Sequence, residues 1–93
     1  MTAATEPHPR LRPFFDEAGR LARWPARRSI QLLALAWLTA HFEPGRCFTE
    51  KEVNARLNAL HTFGDWALLR RALFDHRFLG READGSAYWR TEG

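Results

Sequence analysis

Residues 27–42 constrain this chain more than any other stretch. Ile30, Leu33, Ala34, Trp37, Leu38 and Phe42 recur at helical spacing, and Leu32, Leu35 and Ala36 carry the apolar surface further round. A helix this apolar either runs through the core or presents a face to a partner. It falls short of the roughly 18–20 residues that span a bilayer, and no other apolar run reaches that length. Pro25 sets up the helix start, since proline is tolerated in the first turn. Glu43-Pro44-Gly45 stops it. With 93 residues and 45% apolar content, the chain has material for one core built around this helix.

The remaining elements follow from local signals. Residues 1–12 hold two prolines, two arginines and a single leucine without periodicity, and read as a disordered leader to a domain over 13–93. Phe14-Phe15 opens order, and Asp16-Glu17-Ala18-Gly19-Arg20 is turn-like, as in a short hairpin entry. Arg46-Cys47-Phe48 is a short β link. Thr49 then caps a second helix, with Glu52 completing a capping box and Val53, Leu57 and Leu60 as the buried stripe. After a break at Thr62-Phe63-Gly64, Asp65 caps a third helix with Trp66, Leu69, Ala72 and Leu73 inward. Two β-prone stretches, 78–82 and 87–91, flank Asp84-Gly85, a strong hairpin signal.

Helix, short strand, helix, turn, helix, hairpin is the order of an α+β winged helix-turn-helix with a C-terminal wing. A plain three-helix bundle with a flexible tail is the alternative, and it leaves Tyr88-Trp89 beside the turn unexplained.

Phe15-Asp16, Gly19-Arg20-Leu21, Trp24-Pro25-Ala26-Arg27-Arg28, Phe42-Glu43-Pro44-Gly45-Arg46 and the run 48–54 form one spaced pattern. Leu57, Asp65, Leu69-Arg70-Arg71, Leu73, Asp75, Arg81, Asp84-Gly85-Ser86 and Tyr88-Trp89-Arg90 complete it, over about residues 14–90. Together these stretches resemble a bacterial family, the domain of unknown function 2087. Arg77 departs from it, standing where many relatives have glycine to end the third helix. The resemblance implies winged-helix domains, alone or joined to helix-turn-helix regulators, and brings no assigned binding or catalytic residues.

Of 14 basic residues 13 are arginine, against 11 acids, for a net charge of +3. Placement matters more than the total. Arg20, Arg23, Arg27 and Arg28 precede or begin the first helix with no acid between residues 18 and 42. Arg27 and Arg28 oppose the helix dipole unless an anion such as a DNA phosphate lies near, or Asp16 or Glu17 pairs with them. Arg70 and Arg71 lie on the third helix, the reading helix of a DNA-binding winged helix, where an arginine fork suits guanine or phosphate. The bland alternative is an ion pair with Asp65, Asp75 or Glu52. Arg81 and Arg90 flank a wing tip, 82–86, that is acidic and so unsuited to the minor groove.

Other chemistry is thin. His8, His41, His61 and His76 lack metal-ligand spacing, so no metal or cofactor is expected. Cys47, alone, excludes an intramolecular disulfide and reads as a small buried hydrophobe. Asp16-Glu17 and Glu50/Glu52 are turn and cap residues, not an acid/base pair, and no phosphate loop or nucleophilic triad is present. Trp37, Trp66, Trp89 and Tyr88 read as core. No catalytic residue is assigned, and the start of the chain lacks the hydrophobic centre of a signal peptide. The expectation is a cytoplasmic, non-enzymatic module that binds double-stranded DNA in transcription regulation through Arg27, Arg28, Arg70, Arg71, Arg81 and Arg90. A protein-interaction or homodimerisation module of the same fold is the alternative, supported by the acidic wing and the apolar first helix. A small-ligand sensor is a third reading without an identified pocket.

Overall fold

The computed structural model describes residues 7–91. Helix α1 spans Arg28–Thr39, with Arg27 as an extended N-cap that offers no side-chain cap. In place of a capping serine, Gln31 reaches back and donates to the Pro25 carbonyl at 2.7 Å. The helix thus starts three residues beyond the proline. At its other end Thr39 closes it, and residues 40–42 tighten into a turn, His41 and Phe42 donating to Leu38 and Thr39 carbonyls. Ile30, Ala34, Leu35, Trp37 and Leu38 are buried, as the spacing predicts, while Leu33 is half-buried and Leu32 is exposed.

Strand β1, Cys47–Phe48, leads into α2, Glu50–Leu60. The capping box is formed: Glu52 N–H donates to Thr49 Oγ1 at 3.1 Å, and Thr49 N–H donates to Glu52 Oε1 at 2.8 Å. Helix α3, Trp66–Asp75, opens with Leu68 N–H donating to the Asp65 carboxylate. The wing follows as β2, Leu79–Arg81, and β3, Tyr88–Arg90. Strand β1 pairs antiparallel with β3, so the sheet order is β1-β3-β2, joining the link between α1 and α2 to the wing. Three helices and this small antiparallel sheet make an α+β, winged-helix-like fold.

Strand alternation corrects one expectation. Phe48, opposite Tyr88, takes the inner face and is buried; Cys47, opposite Trp89, is exposed and not a core residue. Trp66 also stands partly in solvent, at 38% exposure, because it is the first helical residue beside the exposed Asp65 cap. Leu69 and Leu73 are buried as expected, alongside Val53, Leu57, Leu79 and Tyr88. In the wing, Trp89 covers Gly80 across the strands so closely that a Cβ there would lie 2.5 Å from its Nε1. The turn is longer than the two-residue form. Glu82 N–H donates to Ala87 O and Gly85 N–H to Glu82 O, both at 2.9 Å, with Gly85 at φ 77°.

The packed unit begins ahead of residue 13. Leu11, in the segment read as leader, is fully buried, within a turn closed by its N–H on the His8 carbonyl at 2.8 Å. A 3-10 helix at Arg12–Phe14 follows, and Phe15 bridges to Leu21, itself buried and bridged to His61. Residues 1–6 of the expected leader lie outside the described residues.

Helix α3 ends in a Schellman arrangement, Phe78 N–H donating to Leu73 O at 2.8 Å and Arg77 N–H to Phe74 O at 3.0 Å. Arg77 therefore takes the left-handed conformation, φ 64°, that a glycine takes without strain. A side chain in that region costs about 1–2 kcal/mol, partly offset by the entropy glycine would add to the unfolded chain. The Arg77 side chain is exposed and makes no hydrogen bond or ion pair among the described residues. Arg77→Gly is expected to stabilise the protein by about 1 kcal/mol, raising Tm by about 4–8 °C in a thermal melt. A lowered Tm would refute the strain.

Candidate functional site

The six candidate arginines fall into three groups. Arg27 and Arg28 are exposed at the start of α1, with no acid in its first turn and no hydrogen bond or ion pair from either side chain among the described residues. Asp16, a sequence-level partner for them, instead accepts the Ala18 and Arg20 amides at 3.0 and 2.9 Å. Both guanidiniums are therefore free cations at the positive end of a helix dipole.

Arg70, Arg71 and Arg81 come together. With Phe74, Asp75 and Tyr88 they line a cleft of about 300 Å³ between α3 and the wing, which neither Arg27 nor Arg28 lines. Arg70 is the most constrained: its side chain is 23% exposed, donates to Asn54 Oδ1, and lies 3.6 Å from Glu50 Oε2. It ties α3 to α2 rather than reaching outward. Arg71 is open to solvent, 3.7 Å from Asp75 Oδ2 one turn along. Such an exposed pair contributes a few tenths of a kcal/mol and yields readily to another anion. Arg81 lies 5.1 Å from the Phe74 ring centroid, a cation–π contact, and has no ion pair among the described residues.

Arg90 points the other way. It is half-buried and donates to the Phe42 carbonyl at 3.1 Å, fastening β3 to the turn after α1. The other arginines of the expected basic patch behave similarly. Arg20 donates to the Asn58 and His61 carbonyls at 2.9 and 2.7 Å, and Arg23 to the Pro13 carbonyl at 3.2 Å. The reason is chemical: a planar fork on a long stem satisfies carbonyls left open at helix ends and turns.

The wing tip is anionic. The Ser86 hydroxyl and amide hold the Asp84 carboxyl below the usual range, with the Arg81 charge a smaller contributor. It stays ionised through neutral pH and repels phosphate at the tip itself. Phe74, 41% exposed, and Tyr88, whose hydroxyl lies 3.4 Å from Glu50 Oε1, complete the cleft and carried no functional expectation. The signal for Phe74 was its place three and four residues after Arg71 and Arg70, on one helix face.

The histidines serve the fold. His8 Nδ1 accepts the Arg10 amide at 3.1 Å, and His41 Nδ1 lies 2.9 Å from Trp37 O. Buried His61 spans the α2–α3 turn, its Nδ1 2.6 Å from Leu57 O and its Nε2 accepting the Asp65 amide at 2.9 Å. Among the described residues no group of three or more His, Cys, Asp or Glu is placed to hold a metal ion, and no helix is long and apolar enough to cross a membrane.

Comparison with the curated proteins and with the solved structures found no match to either. A family profile does match, over residues 20–90, which takes in all three helices, the three strands and all six candidate arginines. The chain therefore belongs to the family described as uncharacterized protein conserved in bacteria, DUF2087.

Proposed function

We propose that this domain binds double-stranded DNA through its phosphate backbone, as a non-enzymatic cytoplasmic module in bacterial transcription regulation. The observation that carries the reading is the Arg27–Arg28 pair, two exposed guanidiniums at a helix N-terminus that no carboxylate among the described residues pairs with. A helix dipole disfavours that arrangement and an external anion relieves it. Arg71 and Arg81, on the α3 side of the wing, supply further phosphate contacts. Base reading has less support: Arg70 is held by Asn54 and Glu50, and Arg90 by Phe42. Binding is accordingly weakly sequence-dependent.

With Arg27, Arg28, Arg71 and Arg81 as phosphate partners, log Kd against log salt should have a slope of about 3–4, a loss of about a hundredfold between 50 and 200 mM. Fluorescence anisotropy of a labelled short duplex measures it. Arg27→Gln with Arg28→Gln is expected to reduce the slope by about 2. Absence of binding at low salt and high micromolar protein would end this reading.

A second reading, a protein-interaction or self-association module, is favoured by large apolar side chains left exposed on α1 and α3, namely Leu32, Trp66, Leu68 and Phe74. Sedimentation that finds a dimer dissociated by Leu68→Glu, together with no duplex binding, would establish it instead.

A further inference from the structure

We propose that the cleft between α3 and the wing is a binding site for one phosphate group, whether carried by a nucleic-acid backbone or by a free small phosphoester. The assignment does not rest on duplex binding at Arg27 and Arg28, which do not line the cleft.

The charge balance comes first. Three guanidiniums, Arg70, Arg71 and Arg81, line one cleft. Two have carboxylates at hand, Glu50 at 3.6 Å and Asp75 at 3.7 Å. The third, Arg81, has none within ion-pair distance among the described residues. Only one carboxylate, Asp75, lines the cleft beside the three guanidiniums, and the Asp84 charge reaches Arg81 from the wing tip without pairing with it, so the cleft itself is cationic and attracts a phosphate. The asymmetry also orders the parts. Arg70 is immobilised by Asn54 and Glu50, so its position is set before a ligand arrives, and Arg71 is loosely paired and free to turn inward.

Shape and donors agree with this. A volume of about 300 Å³ sits at the small end of ligand pockets, enough for a phosphate and part of its substituent. The arginine forks offer donors to several oxygens of a tetrahedral oxyanion, more than a carboxylate's two oxygens use, while the Tyr88 hydroxyl donates to Glu50 Oε1 at 3.4 Å and holds that carboxylate back. The Phe74 ring gives the substituent an apolar wall and holds the Arg81 guanidinium from one side. Gly85, at the wing turn, is buried, and a Cβ on it would press on Glu50 Oε1 at 3.3 Å, the carboxylate beside Arg70, while meeting Arg81 Nη1 at an ordinary contact distance of 3.5 Å.

The test is a pair of titrations of the full chain. Amide spectra by NMR are followed as sodium phosphate, then a nucleoside monophosphate, is added against sodium chloride at matched ionic strength. Saturable shifts at Arg71, Phe74, Arg81 and Gly85 are expected with both phosphates and not with chloride. Arg81→Gln is expected to weaken phosphate binding about tenfold or more, with Arg81→Lys, which keeps the charge and loses the fork, in between. Arg71→Gln, at a fully surface position, gives a smaller loss and serves if Arg81→Gln disturbs the wing. Shifts that fail to saturate, that chloride reproduces, or that both glutamine variants leave unchanged overturn the site. In the second titration each variant meets a labelled duplex. A matching loss of duplex affinity in Arg81→Gln identifies backbone phosphate as the source, and unchanged or absent duplex binding identifies a free phosphoester. Loss of duplex binding in the Arg27→Gln/Arg28→Gln variant with phosphate shifts intact separates the two readings.

Discussion

His61→Ala is expected to destabilise the protein by about 2–4 kcal/mol, lowering Tm by roughly 10–25 °C. The ring is fully buried and both of its nitrogens are engaged. Because Nε2 accepts the Asp65 amide, the ring proton sits on Nδ1 and is donated to Leu57 O. The side chain thus joins the last turn of α2 to the residue that caps α3, and Phe63 packs edge-on against it at 4.6 Å between centroids. Alanine removes the ring, opens a cavity and takes away the partner of both the Leu57 carbonyl and the Asp65 N–H. His61→Leu restores much of the volume and none of the hydrogen bonds, so it should recover part of the loss. Equilibrium urea unfolding of the two variants separates packing from hydrogen bonding. A His61→Ala loss under about 0.5 kcal/mol would show that the turn holds without the ring.

Leu11→Ala should cost about 2–5 kcal/mol, the usual range for a fully buried leucine. The site lies in a segment whose composition reads as disordered, so the variant measures whether those residues belong to the cooperative unit. Arg10→Ala, exposed one residue earlier, is the control and should be within about 0.5 kcal/mol of the parent. Equal stability of all three chains would return the segment to the status of a tail.

What was legible in the sequence was local. The Thr49–Glu52 capping box, the Asp65 cap and the Gly85 turn each lie within a few residues of their partners, and the order of residues along the chain exposes them. The burial of Leu11 was not legible, because one leucine among prolines has no periodicity and its burial depends on remote elements. Cys47 and Phe48 differ only in which face the pairing with β3 assigns them, and two residues cannot establish a register. The candidate site was half legible. Arg70 and Arg71 are placed by helix spacing, and Arg81 by the wing. That Arg70 faces Asn54 while Arg81 lies on Phe74 comes from tertiary packing alone.

The arginines turned toward backbone carbonyls have a consequence for how the fold is kept closed. Arg20 joins segments 41 residues apart, Arg56 reaches the His41 carbonyl 15 residues away, and Arg90 the Phe42 carbonyl 48 residues away. In small domains such long-range staples are often made of sulfur. Here they are charge-assisted hydrogen bonds, which form without an oxidant and survive a reductant. The protein's integrity is thereby uncoupled from the thiol state of its surroundings. A uniform exchange of arginine for lysine would preserve every charge and still loosen the fold.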